Sequence, residues 1–144
     1  MSEPDAQPRA EVAVGLIVAE DGRLLLQHRD DKPELPGADL WGFFGGHIEP
    51  GEQPAEAFLR EMDEELGWRP RHFELFTTRE VHGDGWHNTS HVFAAHLEVA
   101  LDALTLGEGQ GFALYAPDVL HPDTLPGIAD VIGEFAASRT YGRV

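Results

Sequence analysis

Four carboxylates fall within five consecutive positions of the segment Arg60–Trp68, at Glu61, Asp63, Glu64 and Glu65. On a helix, like charges three or four residues apart cost about 0.2–0.5 kcal/mol per pair, so the cluster weakens the element that carries it. At about 100° per residue, Glu61, Glu64 and Glu65 share an arc of roughly 100°, and Asp63 points the other way. Ala55, Phe58, Leu59, Met62 and Leu66 occupy the neighbouring arc and are the expected buried face. Ala57 projects within the acidic arc and leaves space beside the glutamates. Arg60, four residues from both Glu56 and Glu64, relieves part of the repulsion. Two chemistries fit this pattern: a solvated acidic face, or a site for a hard divalent cation, which takes oxygen ligands and binds through a few carboxylates.

Upstream spacing bears on that choice. Gly46 is followed after five residues by Glu52, and seven more lead to Arg60-Glu61-Met62-Asp63-Glu64-Glu65-Leu66-Gly67-Trp68. This order resembles the Nudix hydrolase signature, G-x5-E-x7-R-E-U-x-E-E-x-G-U with U apolar, and every fixed position is matched. With seven fixed residues each at about one position in fifteen, chance supplies the set on the order of once in 10⁸ windows. The resemblance implies an α/β fold, an α/β/α sandwich with a mixed β-sheet between helices. It also implies Mg²⁺- or Mn²⁺-dependent hydrolysis of a nucleoside diphosphate linked to another group.

Roles carried over from that family follow residue by residue. Glu61 and Glu65 become metal ligands, and Glu64 a ligand or the group that orients the attacking water. The carbonyl of Gly45 is a further expected ligand. Glu52 and Arg60 match the family's structural ion pair, and Gly46 and Gly67 complete the motif. In "GEGQG" (residues 107–111), Glu108 stands where MutT-like, nucleotide-sanitising members carry an "EGQ" tripeptide. That makes it a candidate extra ligand or general base, against the alternative of a turn glutamate in a flexible loop. Arg29, ending a strand, is either a substrate-contacting arginine or a surface one. Phe44 stands where the family usually has proline, within the aromatic run Trp41–Phe44. Trp41, or one of the phenylalanines Phe43 and Phe44, could stack on a base, or all could belong to the core. Ile128 occupies the place of an asparagine that reads oxidised guanine in MutT-like enzymes, which counts against 8-oxo-dGTP as the substrate.

The elements that must position these residues can be read from pattern. Glu11–Glu20 is an almost continuous apolar strand suited to burial on both faces. Asp21–Gly22 signals a hairpin turn, and Arg23–Arg29 is its partner strand. A Pro- and Gly-bearing loop follows, then a short aromatic segment and a glycine-rich turn. A helix is expected from Gln53 to about Leu66, with Pro54 in its first turn and Gly67 just past its end. His72–His82 and Thr89–Ala100 read as strands joined by a turn over residues 83–88, and Gly111–Ala116 as a late strand. Ile128, Val131, Ile132 and Phe135 recur at helical spacing within Gly127–Tyr141.

The whole of residues 1–144 reads as a single domain, with residues 1–10 a frayed arm that carries no secretory signal pattern. Ten Lys and Arg against 26 Asp and Glu give a formal net charge of −16. Such a field repels long nucleic acids and anionic membranes, and no apolar run approaches the roughly 20 residues that span a bilayer. A small nucleotide is the expected partner, the cytoplasm the expected compartment, and a homodimer is left open. No cysteine is present. Eight histidines raise zinc, through His87 and His91 above all, but His87 is expected in a turn and both in solvent. No P-loop or GxSxG elbow occurs. Hydrolysis of a nucleoside triphosphate to the monophosphate and pyrophosphate is the leading expectation, with a nucleoside diphosphate sugar as the alternative. A non-catalytic nucleotide-binding module would show an eroded acidic triplet, and here the triplet is whole.

Overall fold

A computed structural model describes residues 9–35, 37–83 and 86–144. The apolar run near the N-terminus forms β1 (Arg9–Val18), buried on both faces, with Val12, Ala13, Leu16, Ile17 and Val18 all in the core. The turn at Asp21–Gly22 leads to β2 (Leu24–His28), antiparallel to β1 through Ile17 opposite Leu25. The aromatic segment gives two short strands, β3 (Trp41–Gly42) and β4 (Phe44–His47). The central helix α1 spans Pro54–Leu66. Then come β5 (Phe73–Gly83), β6 (Trp86–His96) and β7 (Gly111–Tyr115), and the helices α2 (Pro126–Ala136) and α3 (Arg139–Arg143).

These strands make one seven-stranded mixed sheet in the order β3-β2-β1-β6-β5, with β4 paired to β1 and β7 to β2. β1 and β6 run parallel, and the remaining pairs are antiparallel. Alternation along β1 and β6 sends side chains to opposite layers. Ala13, Ile17, Phe93 and Ala95 pack with Phe58, Met62 and Leu66 of α1. Leu16, Val18, Val92 and Ala94 pack with Val131, Ile132 and Phe135 of α2. This is the expected α/β/α sandwich. Among the described residues no helix is long and apolar enough to cross a membrane.

The ends of α1 form as their sequence demands. Glu56 accepts a hydrogen bond from the Gln53 N–H at 2.8 Å, and Gly67 takes φ = 66°, where its N–H reaches the Asp63 carbonyl at 2.9 Å. The helix is rotated relative to the expected arc. Ala57 and Glu65 are buried along with Phe58, Met62 and Leu66, whereas Ala55 and Leu59 are only partly covered. Ala57 therefore packs in the core and does not open space beside the glutamates.

Three further expectations are corrected. The C-terminal helix breaks after Ala136, where the Ser138 hydroxyl bonds back to the Phe135 carbonyl at 2.6 Å and competes with helix continuation. β6 begins at Trp86, so residues 86–88 are strand, while residues 84–85 of the expected turn lie outside the described residues. Most of the expected arm, residues 1–8, lies outside them too, and Arg9 and Ala10 already belong to β1.

Candidate active site

A cleft of about 730 Å³ opens beside the C-terminal half of α1 and runs across the sheet toward α2. At one end it is lined by Glu61, Glu64, Glu65 and Glu108, with Arg29 and Arg60 beside them. The three helix glutamates differ in setting. Glu64 is 57% exposed, the Glu61 side chain 13%, and Glu65 only 5%. Burial pushes the Glu65 carboxyl up to about 8. A hydrogen bond from the Gly45 N–H at 3.0 Å opposes the shift, and the charges of Glu61 and Glu108 add to it. Glu61 is raised as well, first by burial, against the pull of the Arg60 guanidinium.

Arg60 does more than the expected brace. Its Nε and Nη2 clasp Glu52 at 2.8 and 3.0 Å, holding the Glu52 carboxyl down at about 2. Its Nη2 also donates to the His47 carbonyl at 2.9 Å, tying the glycine turn to the helix. Nη1 then reaches Glu61 at 2.9 Å and Glu64 at 3.1 Å. The guanidinium thus serves as the internal counter-ion of the acidic face. Among the described residues no three acidic or histidine side chains converge on one point.

The donor set nevertheless suits a hard divalent ion, being carboxylate oxygens beside the Gly45 backbone. The turn that approaches them is built for close contact. A Cβ at Gly46 would lie 2.7 Å from the Glu61 carboxylate, and one at Gly45 (φ = 145°) only 2.2 Å from the Ala13 carbonyl. Gly45 thus meets Glu65 through its N–H, and Gly46 lies against Glu61. Asp63 points away, 3.5 Å from Arg69.

Glu108 is held, not loose. Gly107 donates its N–H to the Glu65 carbonyl at 2.8 Å, and the buried Gln27 amide donates to the Glu108 carbonyl at 3.1 Å. A side chain at Gly107 would fall 2.4 Å from the Glu64 carbonyl, so only glycine lets this loop rest against the end of α1. Arg29 lines the cleft, and its charge works against the rise of the Glu65 pKa.

Two of the expected substrate contacts are corrected. Phe44 is fully buried beneath α1, because β4 points it into the layer opposite the cleft. Trp41 does not line the cleft. It stacks on His28 (4.8 Å between centroids, 7°) and packs against Tyr115 and His121. Phe43, one position over and on the other face, lines the cleft instead. Strand alternation also places Asn88 and Ser90 there, in register with Ala10 and Val12, and Arg79 with Val81 from β5. Sequence reasoning missed these residues, although two polar residues in step with the buried Val92 were the available sign. Ile128 does line the cleft. His87 and His91 lie on the α1 face, only 13% and 16% exposed, contrary to expectation. They pair with Glu80 and with Glu11 respectively, the latter at 2.9 Å.

Fold and cleft together define an α/β sandwich that gathers carboxylates at one end of an open, largely apolar groove. The model of the NUDIX domain matches residues 8–133, and the chain belongs to that family. Its members generally use a divalent metal ion. The chain is 38% identical over 72 residues to the 8-oxo-dGTP diphosphatase of Escherichia coli (strain K12), covering 50% of this chain and 54% of that protein. It is 35% identical over 81 residues to the CTP pyrophosphohydrolase of the same organism, covering 51% and 58%. The matches thus span little more than half the length of these curated relatives. Among solved structures, a MutT protein from Methanosarcina mazei Go1 superposes with TM-score 0.78 at 22% identity, covering 91% of this chain and 95% of that one. A MutT NUDIX hydrolase from Burkholderia pseudomallei gives 0.76 at 23% identity, covering 88% and 98%. At such identities these two likenesses concern the fold.

Proposed function

We propose that this protein hydrolyses the phosphoanhydride of a small nucleotide with the help of Mg²⁺ or Mn²⁺, a nucleoside triphosphate giving the monophosphate and pyrophosphate. The observation that carries the proposal is the gathering of Glu61, Glu64, Glu65 and Glu108 at one end of the cleft, with the buried Glu65 pushed up to about 8. Four carboxylates lining one end of a cleft favour a cation there, once Glu64 turns from Arg60 to join the others. A divalent ion, held by Glu61, Glu64, Glu65 and the Gly45 carbonyl, would neutralise charge on the diphosphate oxygens and lower the pKa of water. Glu64, the most exposed of the three, is free to turn from Arg60 towards it.

The chain's own groups supply the rest. Arg29 adds positive charge for the diphosphate at the same end of the cleft. Glu108, fixed by Gly107 and Gln27, accepts the proton of the water that attacks phosphorus. One phosphate takes the hydroxyl, and the bridging oxygen leaves with the other. The base and sugar extend along the groove, over Phe43 and towards Ser90, Asn88 and Ile128. With no amide at position 128, oxidised guanine loses the contact expected of MutT-like enzymes. Ordinary nucleotides are therefore preferred to 8-oxo-dGTP, and the cytoplasm, where they abound, is the proposed compartment.

Purified protein is to be incubated with Mg²⁺ and a panel of nucleoside triphosphates, nucleoside diphosphate sugars and 8-oxo-dGTP, and the products resolved by chromatography. Monophosphate and pyrophosphate from a triphosphate are expected. Turnover confined to diphosphate sugars would replace the substrate class, and none on any phosphoanhydride would overturn the proposal.

A further inference from the structure

The loop that carries Glu108 and the strand end that carries Arg29 are joined by side chains outside both the core and the signature motif. The Gln110 amide donates one hydrogen bond to the Arg29 carbonyl at 2.7 Å and another to Asp39 Oδ1 at 2.8 Å. His28 Nε2 meets the same Asp39 oxygen at 2.9 Å, and its ring is held flat against Trp41. Backbone bonds close the figure: Gln110 N–H to the His28 carbonyl at 2.8 Å, Arg29 N–H to Leu40 at 2.9 Å and Asp39 N–H to Asp30 at 3.0 Å. Asp39 takes φ = 62°, a conformation that Asp and Asn tolerate better than most residues. Its carboxyl is held below the usual carboxylate range, first by the Gln110 hydrogen bond and then by His28.

The chemistry of the pair is specific. Two acceptors, a carbonyl and a carboxylate, face one side chain, and only a carboxamide of this length offers two hydrogens without adding charge. Glutamate in its place would set oxygen against oxygen at both contacts. Gln110 lies two residues beyond Glu108, and Asp39 sits at the neck of the loop that Arg29 opens. Fixing one to the other therefore fixes Glu108 and Arg29 relative to each other at the carboxylate end of the cleft.

We propose that Asp39 and Gln110 form a latch that holds Glu108 and Arg29 in place together at the end of the cleft where the diphosphate would react. Both are positioning residues, and the assignment rests on the hydrolytic role proposed above. Small misplacements of a catalytic group cost up to 10²-fold in rate, so the latch should show in kcat before KM.

The test uses the full chain with Mg²⁺ and an equimolar mixture of ATP, GTP, CTP and UTP, together with amide hydrogen exchange of the substrate-free protein. Gln110→Ala and Asp39→Gly, the latter keeping the positive φ, should lower kcat by about 10-fold or more with KM within about two-fold. Gln110→Glu should be worse than Gln110→Ala, and Asp39→Asn, which keeps an acceptor and tolerates the backbone, should restore most of the rate. In a Glu108→Gln background, Gln110→Ala should cost clearly less than in the wild type, the remainder being what acts through Arg29, because groups that act as a unit are not additive. Exchange at residues 108–110 should speed up in Asp39→Gly while thermal stability holds. Wild-type kcat in Gln110→Ala and Asp39→Gly, full additivity with Glu108→Gln, or unchanged exchange would each overturn the latch. Wild-type protein inactive on every phosphoanhydride would overturn the hydrolytic reading and the positioning role with it, while the exchange result would still report whether the two loops are tied.

Discussion

Glu65 sits where a carboxylate costs most, sealed between α1 and the glycine turn with one backbone N–H for company. Its pKa of about 8 lies above its ordinary 4.5, so between those values the folded protein keeps a proton that the unfolded chain has shed. In chelator-treated protein the contribution of this proton to stability is therefore fully present below about pH 4.5 and is lost as pH rises through about 8. Thermal unfolding followed from pH 5 to 8.5 in EDTA should show this decline, and Glu65→Gln should flatten it. A wild-type curve level across the range, or a variant that declines as steeply, would remove the strained carboxylate from the account. Sequence spacing was enough to group Glu61, Glu64 and Glu65 and to turn Asp63 away. It could not reveal that Glu65 is buried or that Arg60 reaches two of the glutamates, because both depend on how far the helix rolls against the sheet. The choice among neighbouring aromatics failed for a related reason: one step along a strand changes the face, so Phe43 lines the cleft and Phe44 fills the core.

At the scale of elements, the site is the place where α1 meets β4. Phe58 anchors the helix, stacked on Phe93 at 5.0 Å and tilted against Phe73 at 5.3 Å, and Gly15 leaves it room on β1. β4 approaches β1 so closely at Gly45 that any side chain would strike the Ala13 backbone. Gly45→Ala should accordingly cost about 3 kcal/mol or more in chemical denaturation, combining an unfavourable φ with a clash that flexible atoms cannot relieve. A loss under about 1 kcal/mol would show that β4 can shift, and that the turn is not the rigid support described. The caps of α1 were legible because Pro54 and Gly67 act locally. The break before α3 was not, since it turns on a single hydroxyl bonding back to Phe135.

For the molecule as a whole, the acidic balance and the cleft belong together. A net charge of −16 repels the phosphates of a nucleotide, and Arg29 and Arg60 are few against it. The order of strands and helices could be read from hydrophobic period and turn residues, and so could the sandwich they build. The groove between the carboxylates and α2 could not, because its walls come from β1, β5, β6 and α2, which only the sheet order brings side by side. On the proposed reading, a cation held by the glutamates would reconcile this charge with this cleft. The initial rate of pyrophosphate release from mixed nucleoside triphosphates in Mg²⁺, compared between wild type, Glu64→Gln and Glu65→Gln, tests that claim most directly. The account predicts measurable wild-type turnover, abolished by EDTA, and a loss of about 10²-fold or more in each variant at unchanged folding. Equal rates in all three proteins with Mg²⁺ present, or a rate indifferent to EDTA, would contradict it.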